Sequence, residues 1–336
     1  MADTLFYIPD ISGFTEFVHG TELSHSQHIV AELLELIIEN ENLGLTAAEI
    51  EGDAILFYTQ KNIPDATRII KETEKLFVKF HEHLAYYNQR RVCDCGACRT
   101  ASGLSLKFIV HRGEAELLKV KNFIKPYGSA VIGAHRLMKN SIPSDEYLLM
   151  TDSVFSGEKD ETLKAECPWI MLDSGSETYS SLGEVPYRYI ELKSLHKQVP
   201  LPPPAPTWTS SMPQLTSNIE IACAPDRIYS VVMDLSRRAE IQKGIKRIDH
   251  NKNEITRIGT EHVCILPVGK STFETIRTPA TSTARLYAEK TKSIPFVKEF
   301  TQLISINETP TGSIVEMQGF FQPSGWVGNE ACSLLF

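Results

Sequence analysis

Two aspartates stand where apolar, strand-like runs give way to turns. Asp10 ends the run Phe6-Tyr7-Ile8-Pro9 and precedes Ile11, Ser12, Gly13, Phe14 and Thr15, while Asp53 follows Gly52 inside Glu49-Ile50-Glu51-Gly52-Asp53-Ala54-Ile55. Carboxylates presented this way can hold two hard divalent cations, Mg2+ or Mn2+, and paired cations are a common means of driving chemistry at phosphorus. A lone aspartate at a strand end is more often a turn former or helix cap, so the two segments count as a pair. A second constellation is Cys93, Cys95 and Cys98, three thiols within reach of one soft ion around a turn at Gly96. Three ligands are one short of a closed Zn2+ site; His81, His83 or a partner chain could supply the fourth, or the cysteines form a reduced loop that binds nothing. An iron–sulfur site normally takes four thiolates and fits less well. Cys167, Cys223, Cys264 and Cys332 are scattered as core cysteines.

The elements that must position these residues follow from periodicity and punctuation. Residues 4–10 read as a strand, 14–39 as a helix with Ile29, Leu33 and Ile37 on one face, and 47–58 as a hairpin about Gly52-Asp53. A helix over 64–88 is marked by Pro64 in its first turn and the stripe Ile70, Phe77, Phe80, Leu84, Tyr87. Leu104, Leu106, Phe108 and Val110 alternate as a strand, a helix follows Gly128, and a last strand covers 187–192. The Pro-rich run over 199–206 cannot join a helix or central strand, and it separates a domain over 1–198 from one over 207–336. The first is an α+β sandwich with a mixed or antiparallel sheet. The second opens with a strand at 219–223 and a helix near 226–239, then continues in period-two runs between turns. The chain has 336 residues and a formal net charge of -8, so no basic field attracts nucleic acid or an anionic membrane. No apolar run approaches the roughly 20 residues of a membrane span, and the opening run Leu5 to Ile8 reads as a strand, without the basic and apolar regions expected of a leader. The protein is expected to be cytoplasmic, and the cysteine usage agrees.

Residues 1–198 resemble the catalytic domain of class III nucleotidyl cyclases, the adenylate and guanylate cyclase superfamily. Four motifs carry the resemblance in order: Asp10-Ile11-Ser12-Gly13-Phe14-Thr15, Gly52-Asp53-Ala54, the strand ending His111-Arg112-Gly113-Glu114, and Tyr127-Gly128-Ser129 leading into Ala134-His135-Arg136-Leu137. The resemblance implies a ferredoxin-like α/β sandwich and attack of a ribose 3′-hydroxyl on the α-phosphorus of a nucleoside triphosphate, with release of pyrophosphate. It implies Asp10 and Asp53 as ligands of two Mg2+ or Mn2+ ions, and the backbone from Ile11 to Phe14, with Thr15, as a phosphate cradle at a helix start. Arg136 matches the transition-state arginine, and Lys193 is placed, on a looser alignment, as a phosphate-binding lysine. In the family, metal residues and arginine come from opposite subunits, which implies a homodimer. Glu49 and Lys125 occupy the base-selecting positions. A carboxylate accepting from guanine N1–H and the 2-amino group, with an ammonium donating to O6, favours GTP over ATP; alternatively the two residues only pair with each other.

The chain departs from the pattern at Ile132, where the family has an asparagine. A lost positioning donor costs on the order of 10²-fold in rate. A degenerate, non-catalytic cyclase homology domain that binds nucleotide or metal as a sensor is therefore the alternative, and a metal or redox sensor built on the cysteines is a third possibility. Residues 207–336 resemble the START-like, SRPBCC helix-grip superfamily in the strand followed by Ala224-Pro225-Asp226-Arg227-Ile228-Tyr229 and Asp234-Leu235. That resemblance implies a curved antiparallel sheet clasping a helix around a lipid-like or other hydrophobic ligand, with Phe273, Tyr287, Phe296, Phe300 and Phe320 as cavity or core residues. Only ten residues, 327–336, follow Trp326, too few for the long closing helix of that fold.

Overall fold

The computed structural model describes residues 1–19, 23–92, 95–155, 157–180, 182–208, 212–242, 244–251, 256–267, 269–278, 284–294 and 297–323. The chain divides into two compact units, Met1–Asn88 with Cys95–Pro202 and Gln89–Asp94 with Pro203–Phe336.

The first unit is built on β1 (Ala2–Ser12), buried from Thr4 to Ser12. A strand buried on both faces needs a near-continuous apolar run, which Leu5, Phe6, Tyr7 and Ile8 supply. After α1 (Phe14–His19) and α2 (Leu23–Glu39) come β2 (Thr46–Glu51), β3 (Ala54–Thr59) and α3 (Ala66–Arg90). Two helices are thus described where one over 14–39 was expected, and residues 20–22 lie outside the described residues. Asp65 starts α3 by accepting from the Arg68 amide at 2.7 Å, and the expected stripe from Ile70 to Tyr87 is buried. Next are α4 (Gly96–Thr100), β4 (Ser105–Val120), β5 (Phe123–Tyr127), α5 (Ser129–Leu137), β6 (Tyr147–Thr151), α6 (Asp152–Phe155), α7 (Asp160–Glu166), β7 (Leu172–Tyr179) and β8 (Gly183–Glu191). A 3-10 turn, Lys193–Gln198, follows.

The sheet order is β2-β3-β1-β4-β6-β8-β7, with β5 paired to β4. Only β4 and β6 run parallel; the other described pairs are antiparallel. Alternation along the strands sends Phe6, Ile8, Ile109 and Leu149 toward Ala130, Ala134 and Leu137 of α5, while Tyr7 on the other face bonds Thr73 of α3 at 3.1 Å. Small residues let α5 lie close to β4. A β-carbon added to Gly113 would fall 2.8 Å from the Ala130 Cβ. The α+β sandwich expected for residues 1–198 is the observed architecture of this unit.

The second unit contains β9 (Leu215–Ile221), α8 (Pro225–Met233), α9 (Arg238–Ile241), β10 (Arg247–Asp249), β11 (Glu261–Leu266), β12 (Gly269–Ile276), β13 (Arg285–Thr291), β14 (Val297–Thr309) and β15 (Gly312–Pro323). Among the described residues the expected curved helix-grip sheet is not found. The strands form an open antiparallel path, β10-β11-β12-β13-β14-β15-β9, neither closed nor curled about a helix. One physical reason is the end strand: β10 has three residues, with Arg247 and Asp249 exposed, and carries too little apolar surface to extend a curl toward β9. Ile228, Tyr229, Val232 and Met233 of α8 pack with Tyr287, Ile304 and Ile306 of β13 and β14. Beside this cluster lies an ionic network. Arg238, 1% exposed, donates to both Glu289 carboxylate oxygens at 3.0 and 3.1 Å, and the Tyr287 hydroxyl donates to Glu289 at 2.8 Å. Phe296 and residues 324–336 lie outside the described residues. Among those described, no helix is long and apolar enough to cross a membrane.

Candidate functional site

Asp10 lies near the end of β1, opposite Ala54 of β3 and Lys107 of β4. The β2–β3 hairpin turns through Gly52, whose φ of 66° favours glycine, and delivers Asp53 beside it. The Ile11 amide donates to the Asp53 carbonyl at 3.0 Å, so the turn is tied to the strand end that carries Asp10. The two expected metal aspartates therefore meet at one corner of the sheet.

Electrostatics at this corner are unbalanced. Asp10 is 6% exposed, and burial pushes its carboxyl up to about 6; Lys107 opposes that shift and the neighbouring charge of Asp53 adds to it. Asp53 is also raised, by burial first, against the pull of its own backbone amide and of Lys107. The Lys107 ammonium is 3.4 Å from Asp10 Oδ2. Two carboxylates share one ammonium, and the donor set is hard oxygen, which suits Mg2+ or Mn2+. Lys107 was not among the residues singled out from sequence. Its signal was a lysine inside an otherwise apolar strand that pairs with β1.

The expected phosphate cradle is partly committed elsewhere. The Ile11 amide is engaged by Asp53, and the Ser12 hydroxyl donates to the Asp145 carbonyl at 2.8 Å. Gly13 turns with φ of 83° and its carbonyl accepts from Phe17, which starts the six-residue α1; Thr15 is exposed.

Some of the other expected site residues pair with one another. Lys125 Nζ is 3.7 Å from Glu49, so the two residues expected to select the base pair with each other. His135 of α5 joins them, 3.8 Å from Glu49 and 3.3 Å from Glu51. Glu49, Glu51 and His135 form a group able to hold a cation, and sequence reasoning missed it because His135 is distant in the chain. Arg136 is exposed and lies over the Tyr179 ring at 5.7 Å, while Ile132 is 51% exposed on the same helix. Lys193 is exposed in the 3-10 turn after β8. His111, half-buried on β4 beside Gly133 of α5, has its imidazole pushed down to about 4 by desolvation and bonds Thr151 at 3.0 Å, as a packed strand histidine.

The cysteine site does not assemble among the described residues. Cys93 lies outside them. Cys95 caps α4 by accepting from the Cys98 amide at 3.5 Å, and buried Cys98 accepts from the Tyr87 hydroxyl at 3.1 Å. The suggested fourth ligands face elsewhere. His83 pairs with Glu32 at 3.0 Å, and His81 joins Glu146 and His196 in a second group able to hold a divalent metal.

A family model described as protein of unknown function (DUF2652) matches residues 30–147. The chain is 30% identical over 163 residues to the uncharacterized protein Rv2561/Rv2562 of Mycobacterium tuberculosis, across 48% of this chain and 73% of that protein. The chain belongs to the family of Rv2561/Rv2562. Among solved structures it is similar to the catalytic core of a rhodopsin-guanylyl cyclase in complex with ATPalphaS, at 16% identity and a TM-score of 0.40, over 56% of this chain and 95% of that one. It is also similar to the guanylyl cyclase Cya2, at 14% identity and a TM-score of 0.41, over 56% of this chain and 94% of that one. Likenesses this distant assign no activity to a member of the Rv2561/Rv2562 family.

Proposed function

We propose that residues 1–198 act as a metal-dependent nucleotidyl cyclase-like unit on a purine nucleoside triphosphate, GTP favoured over ATP, with two copies needed for a complete site. The observation that supports this most is the meeting of Asp10 and Asp53, two part-buried carboxylates whose charges repel and whose joint charge Lys107 offsets only in part. Divalent cations bound there would acidify the ribose 3′-hydroxyl and neutralise the triphosphate. The chain's own residues would do the rest. Gly13, Phe14 and Thr15 beside Asp10 would meet the β and γ phosphates. Arg136 of one copy would stabilise charge on the α-phosphorus of nucleotide held by the other, and Lys193 would take a phosphate oxygen. Glu49 and Lys125 would read the guanine edge. The 3′ oxygen bonds to the α-phosphorus, the bond to the bridging oxygen breaks, pyrophosphate leaves with that electron pair, and the hydroxyl proton passes to water.

Ile132 and Lys107 favour a second reading, a unit that binds metal and nucleotide without turnover. Ile132 cannot donate to the nucleotide, and the Lys107 ammonium must be displaced or shared when a cation arrives at Asp10. Incubating the purified full chain with Mn2+ and GTP or ATP separates the readings. Cyclic nucleotide and pyrophosphate are expected, and Asp53→Asn abolishes both. Saturable nucleotide binding with no cyclic product would overturn the cyclase and leave the sensor; no metal-dependent binding of either nucleotide would overturn both.

A further inference from the structure

On the α3 face of the first unit, three side chains from distant parts of the chain converge: His81 from α3, Glu146 just before β6, and His196 from the 3-10 turn after β8. His196 Nε2 lies 2.9 and 3.0 Å from the two Glu146 carboxylate oxygens, and His81 Nε2 lies 3.8 Å from Glu146 Oε1. The ligand atoms all fall within 4.8 Å of one another. Two metal–ligand bonds of 2.0–2.2 Å at a tetrahedral angle set their donors about 3.3–3.6 Å apart, inside the range seen here.

The surroundings suit a metal better than they suit an ordinary core triad. His81 is 8% exposed and its ring lies 4.4 Å from that of His196. Ser105 donates to Glu146 Oε1 at 2.6 Å, orienting the carboxylate from outside the triad, and lies 3.4 Å from His81 Nε2. The Glu146 carbonyl accepts from the Leu192 amide at 2.9 Å, which fixes the start of the 3-10 turn against the same residue. Phe77 and Phe80 wall the histidines, with Phe77 4.3 Å from the His81 ring and 5.4 Å from the His196 ring. The His196 side chain is 44% exposed, so one side of the triad opens to water, which can complete a fourth position.

We propose that His81, Glu146 and His196 form a site for Zn2+ or a similar borderline divalent transition metal, closed by solvent. Two imidazoles and a carboxylate select such an ion over Mg2+. The site shares no residue with the Asp10, Asp53 and Lys107 corner and does not depend on the nucleotide reading. Its structural effect is to clamp the last turn of the first unit, which carries Lys193, to α3.

The test is titration of the chelator-treated full chain with Co2+, followed by d–d absorption and by Zn2+ competition. One equivalent with nitrogen–oxygen character is expected. It should persist in His135→Ala and in the Cys95→Ser/Cys98→Ser double variant. His196→Ala should weaken it at least about tenfold. His196 is half exposed, so this variant should keep the wild-type circular dichroism; His81→Gln serves as a second variant. Wild-type protein that binds no such equivalent, an equivalent that both variants retain at full affinity, or one lost with His135 or the cysteines instead, would overturn the proposal.

Discussion

At Asp10, burial and the charge of Asp53 both work against ionisation, and Lys107 works against them. A carboxyl whose folded pKa of about 6 exceeds its ordinary 3.8 stabilises the fold below the lower value and loses that contribution as pH rises through the higher. The metal-free protein should therefore be more stable with Asp10→Asn at about pH 7.5, by on the order of 2–3 kcal/mol, with the gain shrinking toward pH 4. Thermal melts in chelator at both pH values check this, and an Asn variant that melts no higher than wild type at neutral pH would refute it. The same variant should lose Mn2+ binding at the corner. Asp10 and Asp53 were legible in the sequence because each sits in a local motif. Lys107 was not, because its partner Asp10 lies across the sheet and only strand register brings the two together; His81, Glu146 and His196 were not, because they come from α3, the residue before β6 and the 3-10 turn, and only the folded unit gathers them. Cross-strand pairing is set by the whole core, not by neighbours in sequence.

At the scale of elements, β1, the β2–β3 hairpin, α3 and α5 stood out through strong periodicity and capping signals, whereas the second unit misled. Its Ala224-Pro225-Asp226 helix start is real and belongs to α8, but a local motif does not say whether the following sheet closes. Closure depends on the length and polarity of the end strands, and the short polar β10 settles it against a grip. The packing of α5 on β4 is an exacting contact between elements of the first unit. The atom that Gly113→Ala introduces would meet the Ala130 Cβ at 2.8 Å, and neither can rotate away because both are fixed to backbone. That variant should lose about 1–3 kcal/mol in urea unfolding. Adding Ala130→Gly should recover much of the loss. No recovery in the double variant would show that the strain lies elsewhere.

At the scale of the whole molecule, each unit has its own apolar cluster, so heating should unfold the chain in two steps. Glu289→Ala leaves the Arg238 guanidinium buried without a carboxylate, and it should lower one of the steps, at a cost of about 3–5 kcal/mol, while the other stays put. Calorimetry on the full chain reads this directly, and a matched fall in both steps would deny the units their independence. If two copies share a site, Asp53→Asn and Arg136→Ala should each be inactive alone. Mixed in equal amounts they should regain roughly a quarter of wild-type turnover, since random pairing leaves half the dimers mixed and each of those with one intact site. Silence on mixing, with wild type active, would rule out shared sites. The second unit also takes in Gln89–Asp94, far upstream of its main body. Val92 packs in its apolar cluster and offers its carbonyl to the Tyr229 hydroxyl at 3.0 Å. Scission at the proline run would thus release no intact half: the downstream fragment would leave its own stitch behind on the upstream one, and expressing either fragment alone would expose a seam that the unbroken polypeptide keeps sewn.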